Sequence, residues 1–372
     1  MNKYDIAAYI WPAYTGDEPR TKLFWPEDIG EWQTVRDACG EVKENGYVWN
    51  RKPLLGFQNE ADHTVMEQQI KLALDHGVNV FIYDWYWYDD RPFLEQCLND
   101  GFLKAKNCKD MKFYIMWANH DANYTWDRRN SGKFWDTIWR GDVSIEQFYK
   151  IGRRWIDQYF KCENYYKIDN KPVISIYALK NFVKGFGSLE NTRKAMLWLN
   201  EECKKEGFGG VHFQFVRWNG KSENISGVDG GTIETTNELI KELGFESLTH
   251  YQFVHFTHID RDYLELLPDV QKEWETAAKI YDVPYFPHVS IGWDNNPRFK
   301  DFSWGVCKNN TPENFEKALH MAKDFADKTG VSLITVNSWN EWTETSYLLP
   351  DNVNGYGYLE AIKKVFKEET NI

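Results

Sequence analysis

Short apolar runs alternate with longer amphipathic stretches along almost the whole chain. Eight runs read as strands, at residues 6–10, 78–83, 112–116, 172–177, 211–216, 247–251, 285–289 and 331–336. Between them, apolar positions recur with helical spacing at 62–76, 145–160, 192–206, 263–281 and 312–329, and a last such segment at 357–368 would close the series. The fifth helix is the weakest link, because Gly and Ser interrupt the pattern between Lys221 and Leu243. Two starts carry good caps: Thr311 before Pro312, and Ser144 three residues ahead of Gln147. Strand–helix alternation repeated eight times predicts an α/β fold, a (β/α)8 barrel with a parallel sheet and crossover helices. No Pro/Gly/Ser linker divides the chain, so residues 1–372 read as a single catalytic barrel domain. The first connection, residues 11–59, is long enough to fold over the barrel mouth.

Composition narrows the class. At 372 residues with 42% hydrophobic and 27% charged side chains, the chain is globular, and none of its apolar runs approaches the length of a membrane span. A net charge of −12 disfavours nucleic-acid binding, which needs basic patches against phosphates. Six scattered cysteines show no Cys-x-x-Cys spacing, so free thiols are the default and a zinc ribbon is disfavoured. The N-terminus lacks a basic segment and a long apolar stretch, which predicts a cytoplasmic protein unless a leader has been removed. Aromatic residues reach 17%, with 18 Trp. A large core is one reading of that excess, and a cleft lined with stacking platforms is the preferred one.

In such barrels the active site lies at the C-terminal ends of the strands. Tyr9 and Trp11 mark the end of strand 1, and the run Asp84-Trp-Tyr-Trp-Tyr-Asp-Asp90 follows strand 2. Strand 3 leads into Trp117, Asn119 and His120; strand 4 ends at Tyr177, strand 5 at Arg217 and Trp218, strand 6 at Tyr251. Strand 7 carries His288 and runs into Trp293, Asp294 and Arg298, and strand 8 into Trp339, Asn340, Glu341 and Glu344. Acids, amides and aromatics therefore gather at one rim, the mixture that binds sugars by stacking on ring faces and bonding to hydroxyls. Trp85, Trp87 and Trp117 are candidates for the cleft, with burial in the core as the competing reading. Asp84 is a cleft residue or a helix cap, and His120 a donor to substrate or a loop brace. His250, His255 and His258 match no helix-borne zinc motif, and metal binding there is disfavoured. For Arg298, an ion pair with Asp294 that shapes the loop competes with substrate binding.

The strand 8 loop carries the sharpest chemistry. Glu341 and Glu344 lie three residues apart, flanked by Trp339 and Trp342. Glycoside cleavage needs two carboxyls in different protonation states, and burial among indoles raises a carboxyl pKa as a general acid requires. The alternative is that one glutamate only pairs with an arginine.

The runs Trp117-Ala-Asn119, Gly292-Trp-Asp-Asn-Asn-Pro-Arg298, Asn337-Ser-Trp-Asn-Glu-Trp-Thr-Glu344 and Gly355-Tyr-Gly-Tyr-Leu-Glu360, with Glu31-Trp32 earlier, resemble the WbsX-like family. That family is related to glycoside hydrolase family 99, the endo-α-mannosidases, and the resemblance covers nearly the whole chain. It implies metal-free and cofactor-free chemistry on an α-linked oligosaccharide or polysaccharide, with retention. Glu341 is implied to be the base on the substrate's own 2-hydroxyl, forming a 1,2-anhydro sugar, and Glu344 the acid/base. His120, Thr345, Leu349 and the Asp84-Trp85 pair depart from the family pattern, and these changes point to a substrate other than mannan. WbsX-like proteins are also labelled glycosyltransferases of surface-polysaccharide synthesis. Neither Gly-x-Gly-x-x-Gly nor Asp-x-Asp is present, which ranks hydrolase above transferase, and a non-catalytic sugar-binding barrel third.

Overall fold

A computed structural model describes residues 3–130, 132–218, 224–226, 232–303 and 305–368. In chain order the barrel elements are β1 (Asp5–Ile10), α1 (Trp32–Ala38), α2 (His63–Asp75), β2 (Val80–Tyr88), β3 (Lys112–Trp117), α3 (Ile145–Trp155) and β4 (Lys171–Ile176). There follow α4 (Leu179–Phe186), α5 (Leu189–Lys205), β5 (His212–Arg217), α6 (Asn237–Glu242), β6 (Phe245–His250), α7 (Tyr263–Ile280) and β7 (His288–Ser290). The last are α8 (Pro312–Thr329), β8 (Leu333–Asn337) and α9 (Gly357–Lys363). The strands pair in parallel in the order β6-β5-β4-β3-β2-β1-β8-β7. A parallel bridge between Leu248 and Tyr285, with the Phe286 N–H donating to the Leu248 carbonyl at 2.8 Å, joins β6 to the approach to β7 and brings the ring almost to closure.

All eight expected strands are present, and both predicted caps hold: Ser144 accepts from the Gln147 N–H, and Thr311 from the Asn314 N–H. Asp62, Ser188, Thr236 and Asp262 cap their helices in the same way. The weak fifth helix is six residues long, and much of the Gly/Ser stretch before it lies outside the described residues. Between β2 and β3 the helical segment is one wide turn at Cys97–Phe102 rather than a regular helix.

One expectation needs correction. The aromatic run expected after strand 2 is mostly part of it: β2 continues to Tyr88 and folds back as a hairpin on Arg91–Phe93. Aromatic residues favour a pleated surface, and Asp89 and Asp90, at φ of 55° and 58°, supply the left-handed two-residue turn a hairpin needs. Side chains then alternate. Asp84 and Tyr86 face the barrel axis, while Trp85 and Trp87 face the helices, where Trp85 packs on Trp155. Trp117 lies in the same outer layer against Phe148, Trp155 and Phe182.

The barrel interior is unusually polar. His288 bonds through its two ring nitrogens to Thr335 and Ser290, at 2.9 Å each, and Thr335 meets Thr249 at 2.9 Å. Tyr9 donates to the His250 carbonyl oxygen at 3.2 Å. The long first connection folds over the mouth as expected. Trp49 Nε1 bonds to Thr345 at 2.9 Å, and Lys43 Nζ donates to the Phe299 carbonyl oxygen at 2.6 Å.

Candidate active site

The site is built on one tight turn. After β8, Asn340–Glu341 pairs antiparallel with Ser346–Tyr347, and Trp342–Glu344 forms a single 3-10 turn between them. Side chains three apart on such a turn lie one over the other, so the Glu-x-x-Glu spacing brings both carboxyls to the same side. The Glu341 N–H donates to Ser338 Oγ at 2.7 Å, which anchors the turn to the strand end. Thr345 closes it at φ 53°, a conformation glycine adopts without strain. Its hydroxyl bonds to the Asp294 carbonyl oxygen at 2.8 Å, which helps hold a β-branched residue there.

Arg298 organises the acids. One guanidinium nitrogen lies 2.7 Å from Glu344 Oε1, another 3.2 Å from Glu341 Oε2, and Nε sits 3.5 Å from Glu31 Oε1. Its partners are thus both glutamates of the turn, not Asp294, which instead accepts from the Asn296 N–H and from the Tyr47 hydroxyl. Glu31 in turn accepts from Trp11 Nε1 at 2.5 Å and Thr343 Oγ1 at 2.9 Å. Among the described residues Asp84 has no such cation: its Oδ2 is 2.9 Å from the Tyr251 hydroxyl, which is also 3.2 Å from Glu341 Oε1. Three buried carboxyls, Glu31, Glu341 and Glu344, thus share one guanidinium, and Asp84 lies beside Glu341 without it. Burial raises Glu341 and Glu344 above the usual carboxylate range, and Arg298 pulls both back; Glu344's charge adds to the rise of Glu341. Burial likewise raises Asp84 well above its ordinary value.

These groups stand at the base of a cleft of about 720 Å³. Of the residues singled out in the sequence, Trp11, Asp84, His120, Tyr177, Trp218, Tyr251, Trp293, Arg298, Glu341 and Glu344 line it. Tyr9 and His288 lie in the barrel interior, and Trp85, Trp87 and Trp117 in the helix layer. Asn119 clamps Ala178 through both backbone groups, at 2.9 and 2.8 Å. Arg217 pairs with Glu273 at 2.7 Å. Trp339 donates to Gln69 at 2.8 Å, and Asn340 ties the glutamate-bearing turn to the Trp11 backbone. Asp294 shapes its own loop. The tryptophan excess therefore serves the core more than the cleft: among the described residues, only Trp11, Trp126, Trp135, Trp218 and Trp293 line it.

Several cleft residues escaped the sequence reading. Tyr86 is two positions from Asp84 on β2, and period two alone would have found it. His255 was weighed only for metal. It stacks face to face on Trp218 with centroids 4.3 Å apart, and burial pushes it down to about 3, so it is neutral. Among the described residues, no group of three His, Cys, Asp or Glu side chains is arranged to hold a metal ion. Trp126 and the exposed Trp135 come from the irregular stretch after β3, where no periodicity marks them.

Behind the turn, Asn340 Nδ2 also donates to Glu60 Oε2 at 2.8 Å, and burial pushes the Glu60 carboxyl up to about 8. A folded-state pKa above the unfolded value of 4.5 means the native state holds the extra proton. The resulting stability is complete below about pH 4.5 and falls by about 1.4 kcal/mol per pH unit until the pH passes the folded value. Glu60→Gln is expected to remove this slope; urea unfolding of both proteins at pH 5 and pH 8.5 measures it.

The barrel resembles known structures. An endo-alpha-mannosidase of glycoside hydrolase family 99 from Bacteroides thetaiotaomicron superposes with a TM-score of 0.62 over 100% of this chain and 98% of its own, at 13% identity. A protein described as glycoside hydrolase-like gives a TM-score of 0.61 at 12% identity, over 99% of this chain and 95% of its own. At such identities the likeness establishes the fold. In sequence, two relatives from strains of Xanthomonas campestris pv. campestris, both described as uncharacterized protein WxcX, are 22% identical over 358 residues, 95% of this chain and 48% of theirs. The chain spans about half the length of the curated relatives it matches. Residues 6–362 match the model of the family described as glycosyltransferase WbsX, and the chain belongs to that family.

Proposed function

We propose that the cleft is the active site of a retaining glycoside hydrolase acting on an α-linked oligosaccharide or polysaccharide. The observation that carries this reading is the pair Glu341 and Glu344, held on one guanidinium at the base of an aromatic-walled cleft. We assign their roles from the hydrogen bonds each accepts, against two opposing features: burial raises Glu341 more than Glu344, and the Arg298 contact is shorter to Glu344. Both oxygens of Glu341 accept hydrogen bonds, from Tyr251 and Arg298, which favours the carboxylate and suits a base. Glu344 accepts from Arg298 through Oε1 alone, and its buried Oε2 has no partner among the described residues. A proton on the unpartnered Oε2 suits a general acid.

In the mechanism, Glu341 removes the proton from a 2-hydroxyl that stands trans to the leaving oxygen, and O2 attacks C1 from the opposite face. The glycosidic bond breaks, and its oxygen takes the proton from Glu344. Water then attacks C1 of the 1,2-anhydro sugar and gives a proton to Glu344, while O2 recovers its proton from Glu341. Two inversions give net retention, and both acids return to their starting states. The shared barrel with a family 99 endo-alpha-mannosidase supports an α-linked substrate.

The family's description as a glycosyltransferase favours a second reading, with an acceptor hydroxyl in place of water. A hydrolase turns over an aryl α-glycoside alone, whereas a transferase requires an activated donor and an acceptor. Proton NMR of the first-formed product is expected to show the α anomer; an inverted product would place a water between the acids instead and rule out participation by the 2-hydroxyl.

A further inference from the structure

The Tyr251 hydroxyl lies between two carboxyl oxygens, 2.9 Å from Asp84 and 3.2 Å from Glu341. A phenol has one proton to donate, so it cannot satisfy two carboxylates at once. One of the two acids must carry a proton of its own and donate it to the phenol oxygen. The surroundings decide which. Glu341 has the Arg298 guanidinium at 3.2 Å. Among the described residues, the titratable groups facing Asp84 are Tyr9 on β1, Tyr86 on its own strand, Tyr177 after β4, Tyr251 after β6, and Glu341 and Glu344 after β8. None of them is a cation. Asp84 is also buried at the cleft wall, and its Oδ1 is a buried atom with no hydrogen-bond partner among the described residues.

We infer that Asp84 is a third working acid of the site: a neutral carboxylic acid that donates to Tyr251, which donates to Glu341 and keeps it ionised as the base. The chain runs Asp84 O–H to the phenol oxygen, then phenol O–H to the Glu341 carboxylate, with one proton in each link. Asp84 acts through Tyr251 and is a positioning residue. This rests on the reading of Glu341 as base for its functional consequence, but the protonation state itself does not.

Infrared difference spectroscopy separates the two. At neutral pH the wild type is expected to show a protonated-carboxyl C=O band that disappears in Asp84→Asn and shifts in Tyr251→Phe, whether or not any glycan is turned over. If subtraction of Asp84→Asn removes only carboxylate bands, the inference is overturned. In turnover, Asp84→Asn keeps an N–H donor to Tyr251 and is expected to lose about tenfold, against about 100-fold for Asp84→Leu. Tyr251→Phe takes a donor from ionised Glu341, so the acidic limb of kcat/KM should move up by about one pH unit. An acidic limb unmoved in Tyr251→Phe would show that Tyr251 does not hold Glu341 ionised, and would likewise contradict the chain.

Discussion

Glu344→Gln is expected to lower turnover of an unactivated α-glycoside by about 1000-fold or more, and to lose only about tenfold on a glycosyl fluoride. A sugar-alkoxide leaving group departs only with a proton, and Gln has none to give. Fluoride needs little protonation, so the first step survives and the remaining loss reports Glu344 as base toward water. Glu341→Gln behaves differently. Its proton acceptor is gone whatever the leaving group, so the loss is expected to be about 1000-fold on both substrates. Paired kinetics on a glycan and a fluoride read the two roles separately; equal losses in Glu344→Gln on both would remove it as the acid.

Arg298→Met is expected to be the most damaging single change to stability. The guanidinium is the charge partner of Glu341, Glu344 and Glu31, all of them buried. Leaving buried carboxylates without their cation costs about 3–5 kcal/mol at neutral pH. The sign of the pH dependence follows. Without Arg298 the folded-state pKa values of Glu341 and Glu344 rise further, so the native state holds more protons than the unfolded chain. Stability is then retained at low pH and lost as pH rises through the folded values. Denaturant unfolding at pH 5 and pH 8 is expected to show a much smaller difference from wild type at the lower pH. Turnover should fall with it, because a protonated Glu341 is no base. Arg298→Lys keeps the charge but not the planar fork that reaches two carboxyls, and is expected to recover stability better than activity.

The barrel was legible because its signal is local and repeated: each strand is a short apolar run, and each helix a helical-period stretch with its own cap. Catalytic candidates were legible for a related reason, since Glu341 and Glu344 share one turn and their juxtaposition is written in their spacing. What failed was facing. Trp85 and Trp87 were cleft candidates beside Asp84, with the core as the competing reading, and the core holds them, because the run continues the strand and adjacent residues of an extended strand point opposite ways. His288 and Tyr9 sit at strand positions that feed the interior, below the mouth. Arg298 was read against its near neighbour Asp294, whereas its partners lie 43 and 46 positions away across the mouth. Glu31 was visible as a landmark, but its bond to Trp11 and its nearness to Arg298 depend on how the first connection folds back, which no local pattern encodes.

The most direct test of the account is release of reducing ends from a panel of α-linked glycans by the wild type and by Glu341→Gln/Glu344→Gln. The account predicts cleavage of at least one glycan by the wild type, and cleavage of none by the double variant while it still binds that glycan. Cleavage that survives both substitutions, or sugar binding by the wild type without turnover of any glycan, would contradict it.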